Sequence, residues 1–134
     1  MKPRARPSQA RQPRDLAGAG LRAFFRIVDA WGLAVEDQMA LLGVQARSTF
    51  YLWKQNPPAR LPRDVLERIS YILGIYQALE ILFPDPAIAD AWIRQPNSAP
   101  LFGGRSALDR MRSGNVGDLY VVRQYLDAER GGWS

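Results

Sequence analysis

The sequence predicts an all-α fold in which a helix-turn-helix module is joined by a long spine helix to a smaller helical module. Three observations support this prediction. Apolar residues recur at helical spacing, no segment shows the alternating pattern of a β-strand, and residues 35–54 resemble two short helices around a Gly-Val turn. We expect the first module to span residues 16–73 and the second module to span residues 74–134.

The composition argues against several classes of function. The 134 residues include no Cys and no His, which removes disulfides, thiolate and imidazole metal ligands, and the usual catalytic base. No paired-carboxylate spacing or glycine-rich phosphate loop is present, so we expect a non-enzyme without metal, cofactor or small-molecule substrate. No apolar run approaches the roughly 20 residues that cross a bilayer, and no signal peptide is evident. A soluble cytoplasmic protein without a membrane partner is expected.

The net charge of +5 comes from the N-terminus. Residues 1–14 hold five basic and no acidic side chains, whereas the rest of the chain holds equal numbers of both. Their prolines and lack of apolar periodicity predict that residues 1–15 form a disordered basic arm. Such an arm either contacts DNA phosphates or is a solvated tail, and both interpretations stay open.

A helix over residues 16–31 is predicted to open the first module and to end at Gly32 in the C-cap position. Gly18 and Gly20 weaken its start, so it begins either before them or nearer Leu21. Its apolar face comprises Leu21, Phe24, Phe25 and Val28.

The functional prediction depends on the helix pair in residues 35–54. Gly43 is expected in the left-handed conformation between the two helices, and Val44 fills the turn. The second helix starts either after Gln45 or at a Ser48 cap. We expect its apolar face to hold Ala46, Phe50 and Trp53.

The opposite face of this second helix contains no acid and offers hydrogen-bond donors, as a recognition helix does in the DNA major groove. Arg47 suits either a bidentate contact to guanine or a phosphate contact. Ser48 and Thr49 are typical phosphate donors and equally typical helix caps. The predicted DNA-binding residues are Arg47, Ser48, Thr49, Tyr51 and Lys54.

The rest of the chain predicts four more helices. The spine helix runs from Pro62 to about Phe83 and has apolar residues on more than one side, which indicates burial on both. Asp85 caps a short helix that ends near Gln95. This short helix is expected to bury Ile88, Ala91, Trp92 and Ile93. The last two helices cover residues 106–111 and 116–130.

Several motifs stand in a specific order and spacing: Leu42-Gly43-Val44, Arg47-Ser48-Thr49-Phe50-Tyr51, Leu82-Phe83-Pro84-Asp85-Pro86, Pro96-Asn97 and Phe102-Gly103-Gly104. Together they resemble the Xre/MbcA/ParS antitoxins, which partner RES-domain toxins, over most of the chain. The sequence departs from that family at Leu52, where Arg is more usual, and the turn before Arg47 is one residue longer than the commonest pattern.

The resemblance implies a non-enzymatic, dimeric antitoxin of a type II toxin-antitoxin system. Its first module would be an Xre-like helix-turn-helix that binds operator DNA and represses its own operon. Its second module would be a toxin-binding domain that covers the NAD site of a RES toxin, an enzyme that consumes NAD or transfers ADP-ribose from it.

The predicted toxin-binding residues lie in a loop rich in Gly and Pro and at the chain end: Asn97, Leu101, Phe102, Gly103, Arg105 and Trp133. Leu101 and Phe102 have little local structure to pack against, so we expect an exposed apolar patch there. Alternatives stay open for the others. Each of these residues has a structural alternative: Asn97 could bond its own backbone, and the glycines could only supply positive φ. Arg105 could be solvated, and Trp133 could fold back on the last helix.

Two further hypotheses stay open. In the first, the protein is a helix-turn-helix transcriptional regulator whose second module serves only dimerisation. In the second, it is a protein–protein adaptor that has lost DNA binding. Leu52 and the neutral charge of the chain after the arm favour the adaptor.

Overall fold

The computed structural model describes residues 16–131, in which seven α-helices and one 3-10 helix occur and no strand is present. The α-helices are α1 (Leu16–Ala30), α2 (Val35–Leu42), α3 (Arg47–Gln55), α4 (Arg63–Leu82), α5 (Pro86–Ala91), α6 (Ala107–Met111) and α7 (Val116–Gly131). The predicted all-α fold is confirmed. The predicted disordered arm and the tail residue Trp133 lie outside the described residues.

Two glycines end the first two helices, as predicted. α1 begins at Leu16 and includes Gly18 and Gly20, so it does not start nearer Leu21. Gly32 follows α1 with φ of 64°, and Gly43 follows α2 with φ of 76°. Both angles lie in the left-handed region, where a side chain is disfavoured.

α4 is the predicted spine. It packs most extensively against α7 and also contacts α1, α2 and α5. Ile72 and Ile75 are fully buried and Leu79 is nearly so, on a helix that has neighbours on more than one side. The expected module boundary after residue 73 falls inside this continuous helix, and it stays a prediction.

Arg68 is a buried arginine that ties α4 to two other parts of the chain. Its Nε donates to Asp64 Oδ2 at 2.9 Å, and its Nη2 donates to the Gly114 carbonyl at 2.7 Å. Its Nη1 lies 3.4 Å from the Ala40 carbonyl at the end of α2. A Cβ atom at Gly43 would lie 2.6 Å from Arg68 Nε, which is too close. Glycine is therefore required at this position both because a side chain would clash and because φ is positive.

The short helix after α4 differs from its prediction. Asp85 caps it as expected, because its side chain accepts a hydrogen bond from the Ala87 N–H at 3.0 Å. The helix ends at Ala91 rather than near Gln95 and continues as a 3-10 helix over Trp92–Arg94. The predicted burial of Ile88 is wrong: its exposed fraction is 55%, and Ala89 is the buried residue of this short helix. A helix of under two turns buries one narrow stripe, and Ile88 lies off it.

Phe102 is buried, which contradicts the predicted exposed patch. Only 5% of the residue is exposed. Its ring packs edge-to-face against Trp92 and Tyr125, with ring centroids 6.0 and 5.2 Å apart, and we call these three residues the aromatic cluster. Arg110 Nη1 donates to the Leu101 carbonyl at 3.0 Å and holds the loop in place. Tyr125 belongs to α7 and is distant in the sequence, so the residues near Phe102 did not reveal this partner.

Replacing Phe102 with Ala should therefore destabilise the fold, because it leaves a cavity between the loop and α7. We expect a loss of about 3–5 kcal/mol in the free energy of unfolding. Ile88→Ala is the control and should change stability by no more than about 0.5 kcal/mol, since its side chain is exposed. Urea unfolding of the two variants provides the measurement. Equal midpoints would mean that the loop is not seated on α7.

Candidate functional site

The helix-turn-helix has its second helix at Arg47–Gln55, which decides between the two predicted starts. Ala46 is the N-cap residue in extended conformation, so the helix begins after Gln45 and Ser48 lies in its first turn without capping it. The predicted burial of Ala46 is wrong, because a residue at the N-cap lies outside the helical face and Ala46 is exposed. Val44 fills the turn as expected and is 9% exposed.

Phe50 anchors α3 to the rest of the module. It is fully buried, and its ring packs edge-to-face against Phe25 of α1 with centroids 5.5 Å apart. Trp53, predicted as an equal part of the apolar face, is half-buried at the edge of the core. The rotational position of α3 is therefore set mainly by Phe50.

Apart from the buried Phe50 and the half-buried Thr49 and Trp53, the side chains of α3 are open to solvent. Arg47, Ser48 and Lys54 are exposed, Tyr51 is 43% exposed, and Thr49 is half-buried. Four of the five predicted DNA-binding residues are thus accessible on one helix that contains no acid. Leu52 is also exposed, at 57%, where the family resemblance leads one to expect Arg.

Arg47 is paired with an acid from the neighbouring helix. Its Nη2 donates to Oε1 of Glu36, in the first turn of α2, and both side chains are more than half exposed. Backbone hydrogen bonding and the guanidinium of Arg47 hold the pKa of Glu36 below its ordinary value. The carboxylate in turn raises the pKa of Arg47. Glu36 was missed in the sequence, because it lies 11 residues from Arg47 and the pairing depends on how α2 crosses α3.

The loop between the 3-10 helix and α6 is held by its own hydrogen bonds. The Asn97 side chain accepts from the Ala99 N–H at 2.9 Å, as its structural interpretation predicted. Asn97 N–H donates to the Arg105 carbonyl at 2.9 Å, and Gly104 N–H donates to the Asn97 carbonyl at 2.8 Å. The amide of Asn97 therefore shapes the loop.

The outer rim of this loop consists of Gly103, Gly104 and Arg105. The glycines have φ of 58° and 87°, and a Cβ atom at either would meet nothing within 4 Å. The Arg105 side chain is 80% exposed and lies 3.9 Å from Asp109. Leu101 is half-buried. Among the predicted toxin-binding residues, Gly103 and Arg105 thus face outward, whereas Phe102 does not.

Neither a metal centre nor a membrane span is found in the described part of the chain. No group of three or more His, Cys, Asp or Glu side chains in residues 16–131 is arranged to hold a metal ion. No helix in the same range is long and apolar enough to cross a membrane.

Two family models match this chain, one in each half. Residues 10–74 match a family model described as the antitoxin Xre-like helix-turn-helix domain. Residues 78–132 match one described as the antitoxin Xre/MbcA/ParS C-terminal toxin-binding domain. The chain is also 55% identical over 114 residues to a Sinorhizobium fredii protein named "Uncharacterized protein y4oB", covering 85% of this chain and 86% of that protein. The chain belongs to the Xre/MbcA/ParS antitoxin family.

Proposed function

We propose that this antitoxin neutralises a RES-domain toxin by covering the toxin's NAD site, and that it represses its own operon as a DNA-bound homodimer. The observation that carries the DNA-binding half is the open, acid-free face of α3 above the buried Phe50. This arrangement suits a recognition helix, which needs one face for packing and one for bases and phosphates. A homodimer would present two such helices to two half-sites.

The toxin-binding half of the proposal is supported by the rim of the 96–106 loop. Gly103 and Gly104 carry no side chains, so a partner's backbone can approach the loop closely. Arg105 extends from the same rim, and a guanidinium suits bidentate pairing with a carboxylate in the toxin's NAD site. The aromatic cluster beneath the rim would keep the loop in one conformation, which lowers the entropy lost on binding.

The proposed DNA contact of Arg47 can be tested by replacing either member of its ion pair with Glu36. Arg47→Ala should weaken operator binding by roughly 5- to 150-fold, since a bidentate base contact contributes about 1–3 kcal/mol. Glu36→Gln should instead strengthen it, because the variant keeps the arginine and removes the carboxylate that competes with DNA. Fluorescence anisotropy with the promoter fragment of the protein's own operon provides the measurement. If both variants bind more weakly to the same extent, the pair supports the fold and Arg47 is not a DNA contact.

The toxin contact can be tested at Gly103, where a side chain has room within the antitoxin. Gly103→Asn should preserve the fold, because Asn tolerates the left-handed conformation, but should obstruct the partner. Hot-spot losses of about 2 kcal/mol or more would make the complex roughly 30-fold weaker. The assays are calorimetric titration with the RES toxin encoded by the neighbouring gene and inhibition of that toxin's NAD consumption.

Gly117→Asn is the control for that variant. Gly117 also has open space around its Cβ position, but it lies in the first turn of α7. Its variant should bind the toxin like wild type. Equal loss in both variants would indicate damage to the fold, and no loss in either would remove the loop from the interface. A toxin that consumes no NAD would contradict the RES assignment itself.

A further inference from the structure

The cations of this protein divide into paired and unpaired groups along the chain. Every arginine after Arg63 in the described residues has an acidic or carbonyl partner: Arg68, Arg94, Arg105, Arg110, Arg112, Arg123 and Arg130. Five earlier cations make no ion pair or side-chain hydrogen bond with another residue in the range 16–131: Arg22, Arg26, Lys54, Arg60 and Arg63. Apart from Arg94, whose partners are the Trp31 and Gly32 carbonyls, the described cations without an acidic partner all lie in the helix-turn-helix half.

Three of these unpaired cations meet in an open cleft beside the recognition helix, which we call the α1 cleft. Arg22 and Arg26 of α1 line it together with Lys54 from the end of α3, and Phe25 and Asp29 complete it. Lys54 Nζ lies 5.5 Å from the centroid of the Phe25 ring, a cation–π contact that holds the ammonium group toward α1. With three cations and one acid, the cleft has an excess of positive charge.

We propose that the α1 cleft binds DNA backbone phosphates and extends the DNA-binding surface from α3 onto α1 through Arg22 and Arg26. This inference rests on the proposed DNA-binding function, which named residues of α3 alone. Two features favour a polyanion as the ligand. Lys54 belongs to both surfaces, so the cleft is continuous with the open face of α3. The five basic residues within residues 1–14 also lie shortly before α1 in the sequence, with Asp15 between them and the helix.

Phosphate contacts by Arg22 and Arg26 would carry no base specificity, and this gives them a distinct signature. Each phosphate neutralised contributes about 0.9 to the slope of log affinity against log salt. The Arg22→Ala, Arg26→Ala double variant should therefore lower the slope by about 1.8. It should weaken binding to the promoter fragment and to a random duplex of equal length by the same factor. Arg47→Ala should instead reduce the preference for the promoter fragment.

The experiment is fluorescence anisotropy at several salt concentrations with both duplexes and the full chain. Arg22→Lys with Arg26→Lys should restore the slope, because a point charge suffices for a phosphate. Asp29→Asn should raise affinity for both duplexes, since it removes the one acid of the cleft. Arg130→Glu changes the net charge by the same two units at the far end of α7 and should leave the slope unchanged. Thermal melts establish that each variant is folded.

The inference is overturned if the double alanine variant keeps the wild-type slope while Arg47→Ala weakens binding. It is also overturned if Arg130→Glu lowers the slope equally, because bulk charge would then explain the effect. Loss of toxin binding with intact DNA binding would assign the α1 cleft to an acidic protein surface. A wild-type protein that binds neither duplex would contradict the proposed DNA-binding function itself, which is a separate result.

Discussion

The buried guanidinium of Arg68 is the interaction on which the rest of the structure depends. A buried charge is costly unless it is paired and hydrogen-bonded, and Arg68 meets that requirement with one carboxylate and two backbone carbonyls. Because the carbonyls belong to Ala40 and Gly114, one side chain fixes α4 against both the helix-turn-helix and the turn before α7. The same side chain leaves no room for a Cβ atom at position 43, so this residue of the turn between α2 and α3 must be glycine.

The two modules are consequently joined by packing rather than by a linker. α4 runs through the expected boundary without a break, and Arg123 of α7 reaches across it, because its Nη1 donates to the Ser70 carbonyl at 3.4 Å. A second polar bridge joins Arg112, after α6, to Asp37 of α2 at 3.6 Å. The helix-turn-helix and the 96–106 loop are thus connected through α4 and through direct polar contacts.

Features of the sequence that depend on near neighbours were predictable, and those that depend on distant helices were not. Gly32, Gly43 and Asp85 were predicted as helix ends because capping is decided within a few residues. The burial of Phe102 depends on α7, which follows it by more than ten residues, and so the loop was mistaken for an exposed apolar patch. On α3, residue types indicated the exposed side chains, but they did not indicate the carboxylate of Glu36 that pairs with Arg47.

The charge of the chain shows why composition alone misleads about its surface. Outside the arm, acidic and basic residues are equal in number, a balance that favoured a protein without DNA binding. In the described residues, most arginines with an acidic partner lie after Arg63, and most cations without one lie in the helix-turn-helix half. Asp109, Asp118 and Asp127 form ion pairs with arginines of the toxin-binding domain. Arg22 and Arg26 have no acidic partner among the described residues. Paired charges largely cancel at a distance, whereas unpaired ones create the field that a polyanion meets. A neutral count is therefore compatible with a basic helix-turn-helix surface, and the balance no longer argues for the adaptor hypothesis.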